Sequence, residues 1–202
     1  FNISTLSSFI TAGAGVHVSK HGNYGVSSTS GSSNVMESLG VKFSNSEDFL
    51  KLCLDKTGIC ILHAPLFHPA MKNVAPIRKE LGVNYNIVYA LDGYDEISLT
   101  GKAKIVSNQS ETIFSPEDLG LLQIKQEAIF GGNSVKEAAD VFVNIISGKG
   151  TEAQSNVVCA NAGLAIATTK QISHKEGFEM AKESLFSGKA KMSLDKLIEL
   201  SR

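Results

Sequence analysis

The sequence predicts an α/β protein with a mainly parallel central sheet flanked by helices, and three observations carry that prediction. Short apolar, β-branched runs, "ICILH" above all, have the continuous hydrophobicity of strands buried on both faces. Amphipathic stretches of helical period alternate with them. Polar, glycine-rich loops join strand to helix, where α/β proteins keep their binding loops. The 202 residues are enough for one good core, so the expected organisation is a single α/β domain over residues 1–202.

The elements follow in order. "NISTLSSFITAG" is a helix of small and apolar residues. The chain opens without Met, with Asn2, Ser4 and Thr5 where a helix begins, and reads as the start of an incomplete sequence. "VHVSK" (16–20) is a short strand feeding the loop "SKHGNYGVSSTSGSSN" (19–34). Residues 32–39 and 46–55 are amphipathic helices, the second with Leu50, Leu52 and Leu54 among charges and Ser46 as its N-cap. Residues 59–65 are a buried parallel strand, and 69–82 a helix that Pro76 bends or divides. Residues 86–93 are the next buried strand, ending in an Asp-Gly turn. "AKIVSN" and "ETIFS" make a hairpin with Asn108 and Gln109 at its tip. From Ser115 onward the chain is nearly all helical. Ser115-Pro116 caps one start, and Ser134 with Glu137 and Ser173 with Glu176 have capping-box spacing.

Composition narrows the function classes. Nineteen Lys and Arg against twenty Asp and Glu give a net charge of -1, which argues against a broad nucleic-acid footprint and makes any anion site local. No run approaches the ~18 apolar residues of a membrane helix. Cys53, Cys60 and Cys159, odd in number and without a C-x-x-C pair, fit reduced thiols in a cytoplasmic protein rather than a disulfide framework or a zinc site.

Four groups fall where strands hand over to loops. At "NIST" a helix N-terminus offers free amides, and Ser4 and Thr5 add hydroxyl donors suited to phosphate; plain N-capping by Asn2 is the competing reading. In the loop, Lys20 brings a compact charge. There Gly22, Gly25 and Gly31 let the backbone turn its amides toward an anion, and Ser27, Ser28, Ser30 and Ser32 add donors. A surface loop or tight strand–helix packing would look the same. Asp95 and Glu96 are adjacent after an apolar strand, as in magnesium sites completed by water and phosphate, and also as in many surface turns. His68 precedes a helix whose Arg78 has a fork that suits a carboxylate, while His63 reads as a core or strand-end residue.

"FNIST", "KHGN", "SGSS" followed by "ESLG", "HPAMKNVAPIRKELG", "DEISLTG" and the tail "EGFEMAKESLFSGKA" stand in the order of the anthranilate phosphoribosyltransferase family, which the chain resembles nearly end to end. The resemblance implies a tryptophan-biosynthetic enzyme that joins 5-phosphoribosyl 1-diphosphate to anthranilate and releases diphosphate. It implies that Asn2, Ser4, Thr5, Lys20, Gly22, Gly25, Ser27, Ser28 and Ser32 bind the diphosphate substrate. Asn23, His68 and Arg78 would line the anthranilate path, and Asp95 and Glu96, with Ser4, would hold Mg2+. It further implies a cytoplasmic homodimer with no nucleic-acid or membrane partner. Two family features are absent: an N-terminal helical domain with its Gly-Thr-Gly-Gly-Asp loop, and a βα section expected between Val83 and Asn84. Tyr24, Thr29 and Asn34 stand where many relatives have Arg, Lys or Ser, and Asp. The alternatives are a pyrimidine nucleoside phosphorylase of similar fold, which would lack the Asp-Glu pair, and a non-catalytic nucleic-acid-binding paralogue.

Overall fold

A computed structural model describes residues 1–25, 30–71 and 84–202. Helix α1 (Ile3–Gly13) is followed by strand β1 (Val18–Gly22), helix α2 (Ser32–Ser38), helix α3 (Glu47–Thr57), strand β2 (Ile59–His63) and helix α4 (Ala64–Met71). Strands β3 (Asn86–Ala90), β4 (Ala103–Ser107) and β5 (Glu111–Phe114) come next. Helices α5 (Val135–Ile146), α6 (Glu152–Lys170), α7 (His174–Phe186) and α8 (Lys189–Leu200) complete the chain. The α/β class is as expected. β1 and β2 pair in parallel, Gly22 opposite His63, so both strands end at the same edge. β1 lies two residues later than the sequence indicated, which brings His21 and Gly22 into the strand.

The stretch 86–93 departs from expectation. It was expected as a fully buried strand, yet β3 pairs antiparallel with β4, and β4 with β5. Ala90, Ala103, Ile105 and Phe114 face the core, while Ile87, Tyr89 and Ile113 are more than half exposed. An antiparallel sheet covered on one face alternates in this way, and its aromatic and β-branched outer residues imitate a two-sided strand in sequence. The hairpin with Asn108 and Gln109 at its tip is as read. In α3 Cys53 and Thr57 are buried and Leu50 and Leu54 pack partly buried against the core, while Leu52 is 42% exposed, because residues two apart lie on different sides of a helix. The helix expected over 69–82 lies mostly outside the described residues, α4 covering its start.

The core runs between α1 and the C-terminal helices. Phe9 meets Phe142 edge to face at 6.2 Å, and Phe9, Phe142 and Phe178 are all inaccessible or nearly so. Helices α6 and α7 come close enough that Gly163 and Gly177 face each other. A Cβ on Gly163 would stand 2.6 Å from Phe178 N, and one on Gly177 would strike Gly163 O. Buried serines tie the layers together. Ser7 Oγ donates to Val158 O at 3.0 Å, Ser184 Oγ to Ile10 O at 2.7 Å, and Ser193 Oγ to Thr57 O at 2.6 Å. Ser173 and Glu176 form a full capping box at α7. At α5 Ser134 caps Glu137 N, but the Glu137 carboxylate accepts from Asn133 N instead of Ser134 N. Ser115 and Pro116 open a 3-10 turn rather than an α-helix.

Candidate functional site

The amino end of α1, the loop after β1 and the segment after β3 converge on one hollow. A cavity of about 400 Å³ is lined by Asn2, Ser4, Ser30, Gly31, Glu96 and the Gly131–Gly132 step. Larger hollows, such as one of about 610 Å³ along Lys56, Met192 and Lys196, touch none of these groups.

Asn2 does not cap α1 with its side chain, so the plain-capping reading of this residue does not describe it. Its Nδ2 donates instead to Ser30 O at 3.4 Å, joining the helix start to the far end of the serine loop. Thr5 is 1% exposed, and its hydroxyl is buried without a hydrogen-bond partner among the described residues. Such a group costs free energy that a bound ligand or water would offset.

At Gly22 and Gly31 glycine serves close approach rather than a left-handed turn. Gly22 and Gly31 both have ordinary negative φ, contrary to the sequence reading that glycine was needed there to turn the backbone. A Cβ on Gly22 would lie 2.6 Å from Ser32 Oγ, and one on Gly31 would collide with the backbone of Tyr24 and Gly25 and reach Asn23 O at 2.8 Å. Hydrogen bonds fasten the two arms. Ser33 N donates to Asn23 O at 3.1 Å, Asn23 N to Ser32 Oγ at 3.2 Å, and both Gly25 N and Gly31 N donate to Asn34 Oδ1 at 3.1 Å. Tyr24 OH donates to Glu37 at 2.7 Å, and its ring packs edge-on to His63 at 4.8 Å. His63 is buried at the end of β2, bonded through Nδ1 to Ser33 Oγ at 2.8 Å and stacked on Phe43 at 4.4 Å; burial lowers its pKa. Asn34 and Tyr24 therefore fasten the loop to α2.

Lys20 is half-buried on β1 and donates to His21 O at 2.9 Å. Burial lowers its pKa, and the nearby Glu96 carboxylate pulls it back. Glu96 is half-buried while Asp95 is exposed. Burial raises the Glu96 pKa, and the Asp95 charge raises it further, against the pull of Ser4 and Lys20. Glu96, half-buried with the Ser4 hydroxyl alongside, and the adjacent exposed Asp95 offer oxygen donors of the kind a magnesium ion takes.

The family described as "Glycosyl transferase family, a/b domain" matches residues 1–88 and 83–191. An anthranilate phosphoribosyltransferase of Flavobacterium johnsoniae is 54% identical over 242 aligned positions, which span all of this chain and 73% of that protein. The Bacteroides fragilis enzyme of the same name is 42% identical over the same shares. The chain belongs to the anthranilate phosphoribosyltransferases. The transferase of Thermus thermophilus superposes with a TM-score of 0.86 at 28% identity, covering 100% of this chain and 73% of the other. The Saccharomyces cerevisiae transferase, solved with PRPP and Mg, superposes with a TM-score of 0.83 at 23% identity over 100% and 69%, a likeness of fold.

Set on this transferase scaffold, the residues singled out from sequence divide in three. Asn2, Ser4 and Glu96 line one cavity, with Lys20 close enough to act on Glu96. Gly22, Asn23, Gly25 and Ser32 form the loop beside it, Asp95 stands next to Glu96 on the exposed side, and Thr5 lies beneath the surface. Ser27, Ser28, Thr29 and Arg78 lie outside the described residues, and His68 stands on α4 with its side chain outside them too. Sequence reasoning missed the Gly131–Gly132 step, where a Cβ on Gly131 would overlap Phe1, although a glycine pair before a cap is a visible sign of close approach. It also passed over Asn161, whose signal was a lone amide in the apolar run "VVCANAGLAIA".

Proposed function

We propose that this site transfers the phosphoribosyl group of 5-phosphoribosyl 1-diphosphate to the amine of anthranilate, giving N-(5-phosphoribosyl)anthranilate and diphosphate. The observation that carries the reading is the single cavity that gathers Asn2, Ser4, Ser30, Gly31 and Glu96 from three separate parts of the sequence. The family's name and the yeast relative's complex with PRPP and Mg accord with it; another structure of the yeast enzyme holds 4-fluoroanthranilate.

In this reading Asn2, Ser4, Thr5, Lys20, Gly22, Gly25, Ser27, Ser28 and Ser32 hold the diphosphate substrate. Ile3 N donates to Phe1 O at 2.9 Å, which leaves the Ser4 and Thr5 amides of the first turn of α1 for an anion, and the helix dipole favours negative charge there. As the glycosidic bond breaks, negative charge grows on the departing diphosphate, and the Lys20 ammonium stabilises it. Asn23, His68 and Arg78 hold anthranilate in line with the anomeric carbon. The amine carries its own lone pair, so attack precedes any need for a strong base. Asp95, Glu96 and Ser4 hold Mg2+, which when bound supplies further charge neutralisation at the diphosphate.

In this reading the 202 residues belong to the transferase's α/β domain, with a further βα section of the family expected between Val83 and Asn84; the two matched family stretches, 1–88 and 83–191, overlap there, which accords with it. Among the described residues no helix is long and apolar enough to cross a membrane; a cytoplasmic homodimer completes the proposal, with sedimentation equilibrium as its test. Release of diphosphate should require anthranilate and 5-phosphoribosyl 1-diphosphate together. Phosphorolysis of thymidine in place of that release would overturn the reading.

A further inference from the structure

The segment that carries Asp95 and Glu96 is secured far more firmly than an exposed turn requires. On the α6 side, Ile97 N donates to Asn161 Oδ1 at 2.9 Å, and Asn161 Nδ2 donates to Ile97 O at 2.8 Å and to Val157 O at 2.9 Å. The carboxamide spends an acceptor and both donors on main-chain groups. Its two-way bond to Ile97 grips one residue as a neighbouring strand would, fixing both position and orientation. Ile97 is 1% exposed, and Glu96 is its immediate neighbour.

The other side of the segment is closed on itself. The Asp92 carboxylate accepts from Ser98 Oγ at 3.1 Å and from Thr100 Oγ1, and Thr100 N donates to Ser98 Oγ at 3.2 Å. Gln123 Nε2 donates to Thr100 O at 2.6 Å, and Ile124 N to Leu99 O at 3.0 Å. Leu99, 1% exposed, sits at φ 59°, a conformation that a leucine keeps only where its surroundings over-determine it. Neither network touches a carboxylate of the Asp95–Glu96 pair. Both fix the backbone on which the pair stands.

We propose that Asn161 is a positioning residue for the Asp95–Glu96 pair, holding Ile97 against α6 so that both carboxylates are gathered before the cation arrives. The inference rests on the reading that the pair holds the metal. Adjacent like charges repel, and a loose turn would let the exposed Asp95 swing away from the half-buried Glu96. With Asn161 in place, the ordering cost falls on folding rather than on binding. Outer groups that orient metal ligands commonly account for ~10–100-fold in metal affinity.

The test is Mn2+ binding followed by EPR, with inorganic diphosphate present, alongside the melting temperature. The proteins compared are the unsubstituted one, Asn161→Ala, Asn161→Asp and the double variant Asp95→Asn with Glu96→Gln. The expected result is Mn2+ affinity about 10–100-fold weaker in Asn161→Ala and no specific binding in the double variant. Asn161→Asp keeps the acceptor for Ile97 N but sets a carboxylate oxygen against Ile97 O and Val157 O, so its affinity should fall as well, and it serves as the second variant if Asn161→Ala does not fold. If both Asn161 variants melt earlier yet bind Mn2+ as the unsubstituted protein does while the double variant fails, Asn161 is structural and the inference is wrong. If the double variant itself binds normally, the metal reading and this inference fall together.

Discussion

Replacing Gly31 by alanine tests whether the loop after β1 is a built cradle. At φ −72° and ψ 170° alanine meets no backbone strain, so any effect must come from space. The new Cβ would overlap backbone atoms of Tyr24 and Gly25 and stand 2.8 Å from Asn23 O, against the 3.4–4 Å of ordinary contact. No rotamer change relieves a clash with main chain, so residues 23–25 must retreat by about 1 Å. That stretches the Ser33 N–Asn23 O and Gly25 N–Asn34 Oδ1 bonds, both 3.1 Å, beyond useful geometry. Two hydrogen bonds at about 1 kcal/mol each, partly replaced by water on this exposed segment, amount to about 1–2 kcal/mol of stability. For a chain of this size that lowers Tm by roughly 2–8 °C. Binding should suffer more, because Ser30 and Gly31 line the cavity and move with the loop, hydrogen bonds to a charged ligand are worth about 1.5–3 kcal/mol apiece, and 1.4 kcal/mol is already tenfold. The assay is anthranilate fluorescence at varied 5-phosphoribosyl 1-diphosphate, beside a thermal melt. The expected outcome is a KM for that substrate raised about tenfold or more with a modest loss of Tm. A lowered Tm with KM within about twofold of the unsubstituted protein would refute the cradle.

Other predictions concern the metal pair, the helix packing and the titrating groups. Asp95→Asn with Glu96→Gln should raise the Mg2+ concentration needed for half-maximal rate by at least about tenfold, and an unchanged requirement would remove the pair from the site. Gly177→Ala should destabilise by about 1–3 kcal/mol, because its methyl strikes Gly163 O across the α6–α7 contact; denaturant unfolding measures it, and no change would mean the helices part freely. His63 has a lowered pKa in the fold, so it contributes no loss above the ordinary histidine value near 6.5. Stability should fall as pH drops below that value toward the folded one, a slope that His63→Gln flattens in melts between about pH 7 and pH 5. Burial pushes the Cys159 thiol up to about 12 and the Cys53 thiol up to about 11, so iodoacetamide should modify neither at neutral pH until the protein unfolds, and rapid labelling of the native state would contradict the packing.

Much of this was legible because local rules and global fold agree. Ser46 before α3 and the Ser173–Glu176 pair before α7 announce helix starts through bonds made within three residues, and the structure makes them. "ICILH" announced a buried strand by length and branching alone. Where partners are distant, the signal thinned. Nothing local tells β3 that it will pair with β4 in a sheet covered on one face only, so Ile87 and Tyr89 passed as core. Gly31 was noticed for the wrong reason, since composition cannot distinguish a glycine that turns from one that lets another segment approach. Asn161 lies 64 residues from the Ile97 it grips, and only its incongruity in an apolar helix marked it.

The most direct test of the central claim is the loss of anthranilate fluorescence when 5-phosphoribosyl 1-diphosphate and Mg2+ are added to the purified protein, with a chelator control. The account predicts a steady loss that needs both substrates and stops on chelation. Fluorescence that holds level with every component present would contradict it.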